Sequence, residues 1–313
     1  LFRSGPCAVS TTTALLESFK GRWPLGVAQP LANVKLLAPI PRPRKNIFGI
    51  GLNYVEHVAE SSRTLDTAKE LPKQPVIFSK PPTTVIGPGD AIEHNAAITR
   101  QLDWEVELAA IIGTRAKGVR KEEALRHVFG YSLMIDMSAR DNRRAGQWIY
   151  SKGQDTYAPF GPVIVTADEI PDPQVLDLSL QVNGVTKQSS NTRHMLFAVD
   201  TLIADISAGI TLEPGDIIAT GTPAGVGPVK DGDQIQIGRS ILVCHFTRSN
   251  RKAADRVQLM GPEHPFEKGD IVSMTLVFEK ADEAMNAYQS NRCDSFTTDV
   301  SGLYAQKLIT QNP

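Results

Sequence analysis

Asp103, Glu105 and Glu107 stand two apart in the run Leu102-Asp103-Trp104-Glu105-Val106-Glu107-Leu108. In an extended chain successive side chains point to opposite faces, so the three carboxylates share one face and Trp104, Val106 and Leu108 the other. Like charges on one face repel, and burying them without a counter-ion is costly. A hard divalent cation such as Mg²⁺ removes that cost, because it prefers oxygen ligands. The same spacing also fits a solvated acidic face, and spacing alone leaves both readings open. Asp136 adds a further carboxylate. It closes the apolar run Tyr131-Ser132-Leu133-Met134-Ile135 and precedes Ser138, Arg140 and Asp141. At that position it is either a functional group on a polar turn or an N-cap and turn former.

Short elements must position these groups. Asn46 to Gly51 reads as a buried strand ending at glycine, residues 54–61 as a helix, and Val76 to Lys80 as a strand stopped by Pro81-Pro82. Asp103 to Ile112 reads as one strand that begins alternating and becomes wholly apolar. Residues 121–128 form a short amphipathic helix, and Tyr131 to Asp136, Pro162 to Thr166 and Asp177 to Asn183 are strands. Apolar positions at helical spacing cover residues 199–208, and Gly209 stops that helix. Many short strands with few helices between them predict an α+β, sheet-dominated fold; a doubly wound parallel sheet would need regular helical crossovers.

Of the 313 residues 41% are hydrophobic and 21% charged, which is enough for a real core, and the net charge of -1 points to neither nucleic acid nor an anionic membrane. No apolar run approaches the ~18 residues of a membrane span. Cys7, Cys244 and Cys293 are odd in number and far apart, so they read as thiols of a reducing compartment, the cytoplasm or the mitochondrion. Without a Cys-x-x-Cys pair a structural zinc site is not expected. Residues 1–20 hold Glu17 as their only acid beside Arg3, Ser and Thr, which fits a transit remnant or an ordinary N-terminus. Gly49-Ile50-Gly51 lacks the later glycine of a dinucleotide fingerprint, so no nucleotide cofactor is expected.

Six segments, in order, resemble the fumarylacetoacetate hydrolase family. They are Gly51-Leu52-Asn53-Tyr54-Val55-Glu56-His57-Val58-Ala59-Glu60, Phe78-Ser79-Lys80-Pro81-Pro82, Leu102 to Leu108, and Ile135-Asp136-Met137-Ser138-Ala139-Arg140-Asp141. Lys152-Gly153-Gln154-Asp155-Thr156 with Pro159-Phe160-Gly161-Pro162 follows, then Thr220-Gly221-Thr222-Pro223-Ala224-Gly225-Val226-Gly227. The resemblance implies a rolled mixed β-sheet, a homodimer, and Mg²⁺ (in some members Mn²⁺ or Ca²⁺) on Glu105, Glu107 and Asp136. Asp103 then becomes a hydrogen-bonding neighbour of the ligands.

The family acts on small 2-oxo acids. The expected reaction is therefore C–C cleavage, by acylpyruvate hydrolysis or oxaloacetate-type decarboxylation, through a metal-stabilised enolate. An isomerase or tautomerase would need the same metal and enolate, and an inactive member acting as a binding protein is the rival from another class. Lys152 would add positive charge beside the enolate. His57 and Glu60, three apart on a helix, would form a general base and its orienting carboxylate, in a segment that covers substrate in several members. Gly221 and Thr222 would contact the substrate carboxylate, with Arg140 and Gln147 as further contacts. Arg140 could equally pair with Asp141 or Asp136. His94, His127 and His194 fall outside the motifs and read as surface or half-buried residues.

Three segments are expected: a small N-terminal one over 1–45 closed by Pro39-Ile40-Pro41-Arg42-Pro43, a catalytic domain over 46–237, and a divergent extension over 238–313. Within the extension, Glu267 to Leu276 echoes Lys230 to Ile237 and offers terminal strands for the sheet, whereas residues 281–313 are polar.

Overall fold

The computed structural model describes residues 34–64, 70–144, 146–237 and 240–247, with positions 14, 18 and 19. The segments 1–13, 20–33 and 248–313, and with them the expectations for a transit remnant, the Glu267 echo and the polar tail, lie outside the described residues. The elements below all belong to one unit, Lys35–Ile271.

The chain enters through β1 (Ile47–Gly51), whose residues are almost all buried, and turns at Asn53 into α1 (Val55–Thr64). β2 (Val76–Lys80) returns antiparallel to β1, pairing Gly49 with Phe78. That pair needs glycine: a Cβ at Gly49 would lie 2.3 Å from the Phe78 ring. β3 (Val85–Ile86) and β4 (Ala91–Asn95) follow.

The acidic run is not one strand. β5 (Leu102–Trp104) and β6 (Val106–Ile112) are separated at Glu105 and join different sheets. β6 is buried throughout, as its composition demands, and after the short helix α2 (Lys121–Ala124) it pairs antiparallel with β7 (Val128–Ile135). Next come β8 (Ser138–Ala139), the four-residue helix α3 (Ile149–Lys152) and β9 (Ala158–Thr166). β10 (Asp177–Val182) and β11 (Val185–Asn191) form a hairpin, with Asn183 and Gly184 both at positive φ in its turn.

The helix α4 (Val199–Gly209) buries Val199, Leu202, Ile203 and Ile206. These residues pack with Leu108, Ala110 and Ile112, one face of β6. Each Val, Leu or Ile side chain among them contributes about 1.5–3 kcal/mol through burial. β12 (Ile217–Ala219), β13 (Gly227–Pro228), β14 (Gln234–Ile237) and β15 (Ser240–Thr247) complete the described chain.

Among the described residues three sheets result. A seven-stranded mixed sheet runs β2-β1-β12-β6-β7-β9-β3, a five-stranded sheet β11-β10-β14-β15-β4, and a three-stranded one β13-β5-β8. β1 lies parallel to β12, far along the chain, and β15 lies parallel to β4. A second apolar cluster joins Trp104, Val106 and Ile135 to Leu178, Leu180, Ile235 and Ile237. The result is the α+β, sheet-dominated class that the strand-rich sequence predicts, with the curled mixed sheet that the resemblance implies. Among the described residues no helix is long and apolar enough to cross a membrane.

Candidate metal centre and substrate pocket

The break at Glu105 builds the site. The backbone N–H of Asp136 donates to the Glu105 carbonyl at 2.8 Å, which holds the end of β7 against the start of β6. Glu107, two residues on, keeps the face that Glu105 occupies. Glu105, Glu107 and Asp136 are all buried, and one carboxylate oxygen from each lies within 4.8 Å of the others. Asp103 is only partly buried and sits outside that group.

Buried carboxylates require counter-ions. Lys152 Nζ donates to Glu105 Oε2 and to Asp136 Oδ2, both at 2.6 Å. Lys80 Nζ donates to Asp136 Oδ1 at 2.6 Å and also to the Lys152 carbonyl. That carbonyl is at the C-terminal end of α3, where helix acceptors lack partners and a cation is favoured. One ammonium thus fixes both a carboxylate and the helix that presents Lys152. Arg140 Nε donates to Asp103 Oδ2 at 2.9 Å, and its Nη2 lies 2.5 Å from Glu105 Oε1. The expected partners Asp141 and Asp136 are not the ones it takes. β5 pairs with β8 through Leu102–Ala139 and Asp103–Ser138, and the Arg140 N–H donates to the Gln101 carbonyl at 2.8 Å, so Arg140 lies opposite Gln101 and its side chain reaches back to Asp103. Asp141 instead accepts from the Arg100 N–H and the Thr99 hydroxyl, which hold its carboxyl below the usual range despite partial desolvation.

Three buried cations therefore face four carboxylates, and Glu107 is the one that no cation contacts among the described residues. Its only hydrogen bond there comes from the Gly221 N–H at 3.1 Å. Burial first, then the charges of Asp136 and Glu105, raise its pKa well above the usual carboxylate range. Glu105 is held far below that range: Arg140 and then Lys152 outweigh its desolvation. Lys80, wholly buried, is lowered chiefly by desolvation. Beside Glu107 the buried Tyr54 hydroxyl has no hydrogen-bond partner among the described residues, and burial together with the Glu107 charge raises its pKa. An all-oxygen donor set, an excess negative charge and an orphaned hydroxyl suit a hard divalent cation with its water.

The turn after β12 completes the pocket. Gly221 adopts φ +99°, and a Cβ there would lie 2.6 Å from Asn53 Cβ. Asn53 ties this turn to the start of α1: its side-chain amide donates to the Thr220 carbonyl at 2.7 Å and to the Phe197 carbonyl at 3.0 Å. Thr222 Oγ accepts from Gln188 Nε2 at 2.8 Å. On α1, His57 Nδ1 lies 3.4 Å from Glu60 Oε2, and the Gly225 N–H meets the Glu60 carboxylate at 3.2 Å. The hydrogen bonds from His57 and Gly225 hold the Glu60 pKa below its ordinary value although desolvation opposes them.

His57, Glu105, Lys152 and Thr222 share one pocket lining with Leu52, Arg143 and Trp148. Gln147 is exposed in a turn and Arg140 is committed to Asp103 and Glu105; neither reaches that lining. His94 differs from its expectation: it is buried, its Nε2 2.8 Å from the Thr99 carbonyl. Lys80, Tyr54, Gln188 and Arg143 escaped the sequence reasoning. Lys80 carried one signal, a lysine ending an apolar strand before two prolines; Gln188, in the polar stretch Thr186 to Ser190, carried none.

Comparison with known proteins bears on this geometry. The family model for the fumarylacetoacetate (FAA) hydrolase C-terminal domain matches residues 46–277. The chain is 44% identical over 215 residues to oxaloacetate tautomerase YisK of Bacillus subtilis, covering 66% of this chain and 70% of that protein. It is 43% identical to mitochondrial oxaloacetate tautomerase fahd2 of Xenopus laevis over 63% of this chain; the match spans 60% of that relative, less than two thirds of its length. Among solved structures, maleylpyruvate hydrolase from Sphingobium sp. SYK-6, in complex with manganese(II) and pyruvate, aligns with a TM-score of 0.65 at 35% identity. That alignment covers 79% of this chain and 85% of the hydrolase. This chain belongs to the fumarylacetoacetate hydrolase C-terminal family.

Proposed function

We propose that this protein is an enzyme that converts a small 2-oxo acid through its enol, with a divalent cation held by Glu105, Glu107 and Asp136. The observation that carries the reading is Glu107, a buried carboxylate with no cation in contact among the described residues, beside two carboxylates that already have theirs. When bound, the cation supplies a Lewis acid that draws electron density from the 2-oxo group. Manganese and pyruvate in the Sphingobium hydrolase support a hard ion, Mg²⁺ or Mn²⁺, and a ligand of this size.

The chain's own groups divide the remaining work. Thr222 Oγ accepts from Gln188, which leaves its O–H free to donate to a substrate carboxylate. Lys152, between Glu105 and Asp136 at the pocket wall, holds positive charge where enolate charge develops. His57, oriented by Glu60, exchanges a proton with the substrate carbon or with water. Arg140 orients Glu105 rather than touching substrate.

Keto–enol tautomerisation of an oxaloacetate-like acid stands first, since the two relatives named above are oxaloacetate tautomerases and one acid–base pair suffices to move the proton. C–C cleavage, hydrolytic or decarboxylative, shares the enolate and is supported by the Sphingobium hydrolase. The test follows enol disappearance, carbon dioxide release and acylpyruvate consumption side by side with the metal-loaded protein. Ketonisation fastest of the three bears out tautomerisation, and faster cleavage replaces it with the second reading. No turnover in any assay overturns the proposal.

A further inference from the structure

Arg143 is a half-buried guanidinium in the pocket lining with no carboxylate in ion-pair contact among the described residues. The other cations around the site are committed: Lys152 to Glu105 and Asp136, Lys80 to Asp136, Arg140 to Asp103 and Glu105. Arg143 instead lies over the Trp148 ring, 4.8 Å from its centroid. Trp148 is itself held on two sides. Its ring packs 5.5 Å from that of Phe78, and it fills the space a Cβ at Gly51 would need, 2.2 Å away. The stack fixes one flat face of the guanidinium and leaves its edge donors for a ligand. Desolvation, then the nearby Arg140, disfavour its charge more than Glu105, Asp136 and Asp103 favour it, so an anion at the guanidinium edge is stabilising.

The geometry points to Arg143 as the residue that receives a second, remote carboxylate, making the pocket selective for dicarboxylic 2-oxo acids. This rests on the 2-oxo acid reading above and adds the class of substrate. One carboxylate and the 2-oxo group engage the metal side, near Lys152 and Thr222. A planar guanidinium in the same lining matches a further carboxylate through two parallel N–H donors, which an ammonium or an amide cannot reproduce. A monocarboxylic acid of equal length would leave the guanidinium uncompensated.

The test compares oxaloacetate with 2-oxobutanoate in the wild type, Arg143→Gln and Arg143→Lys. Deuterium exchange at C3 gives kcat and KM, and calorimetry gives binding to the metal-loaded protein. Loss of a charge-assisted pair is expected to cost Arg143→Gln about tenfold to hundredfold in kcat/KM for oxaloacetate, mostly through KM. The value for 2-oxobutanoate should stay within about twofold. Arg143→Lys should fall between, since it keeps charge without the fork. Equal losses on both acids, or no loss on either, overturn the inference. Should the wild type exchange neither acid, the reaction reading fails on its own; a binding preference for the dicarboxylate that Arg143→Gln abolishes would still uphold the subsite, and equal binding would end it. Should Arg143→Gln not fold, Arg143→Lys decides by the same comparison.

Discussion

Burial and the charges of Asp136 and Glu105 raise the Glu107 pKa, so the metal-free site retains a proton on that carboxyl above the ordinary glutamate range. The sign of the consequence is fixed. A carboxyl whose pKa is raised on folding binds more protons in the native than in the unfolded state. Its effect on stability is therefore most favourable below the unfolded value, about 4.3, and turns unfavourable as pH rises through the folded one. On the proposed reading, a divalent cation at Glu107 would displace the proton and remove that loss. Calorimetry in two buffers of different ionisation enthalpy should show proton release on metal binding by the wild type, and little by Glu107→Gln. The difference in thermal midpoint between metal-free wild type and Glu107→Gln should shift against the wild type as pH rises. Lys80 acts at the same scale. Replacing it by methionine leaves Asp136 and the Lys152 carbonyl without their donor, so Lys80→Met should lower unfolding free energy by about 3–5 kcal/mol in urea titrations.

At the scale of elements, close approach of backbone and ring sets the pocket wall. A methyl at Gly51 would collide with Trp148, whose ring cannot shift without moving Phe78 and Arg143. Gly51→Ala should therefore destabilise the protein by about 1–3 kcal/mol and reduce substrate binding while metal affinity is kept, as denaturant titration and calorimetry would show. Strand alternation placed Asp103, Glu105 and Glu107 on one face without choosing among them, and only the family resemblance singled out Glu105, Glu107 and Asp136. The break between β5 and β6 was not legible. The alternating pattern runs through Glu105 unbroken, and only the pairing of β5 with β8 and β13 diverts the chain. Lys80 was hidden for a related reason: a lysine ending a strand reads as a solvated terminus until its partner, Asp136, is placed beside it.

For the whole molecule, long-range pairing is what local sequence cannot carry. β1 finds β12, and β4 finds β15, across most of the described chain, and these parallel contacts set the order of both large sheets. β15 stands between β14 and β4, so a chain ending at residue 237 would leave two strand edges unpaired. Such a truncated chain should melt lower and elute partly as aggregate in size-exclusion chromatography, compared with the full chain. The central claim is that the buried carboxylates hold a cation on which enolisation depends. It is tested most directly by C3 deuterium exchange of oxaloacetate, scaled to protein concentration, with wild type loaded with Mg²⁺ or Mn²⁺, wild type stripped by chelator, and Glu107→Gln with metal present. The account predicts exchange in the loaded wild type, its loss on stripping with recovery on re-addition, and a fall of at least about a hundredfold in the folded variant. Exchange that survives both chelation and Glu107→Gln would contradict it.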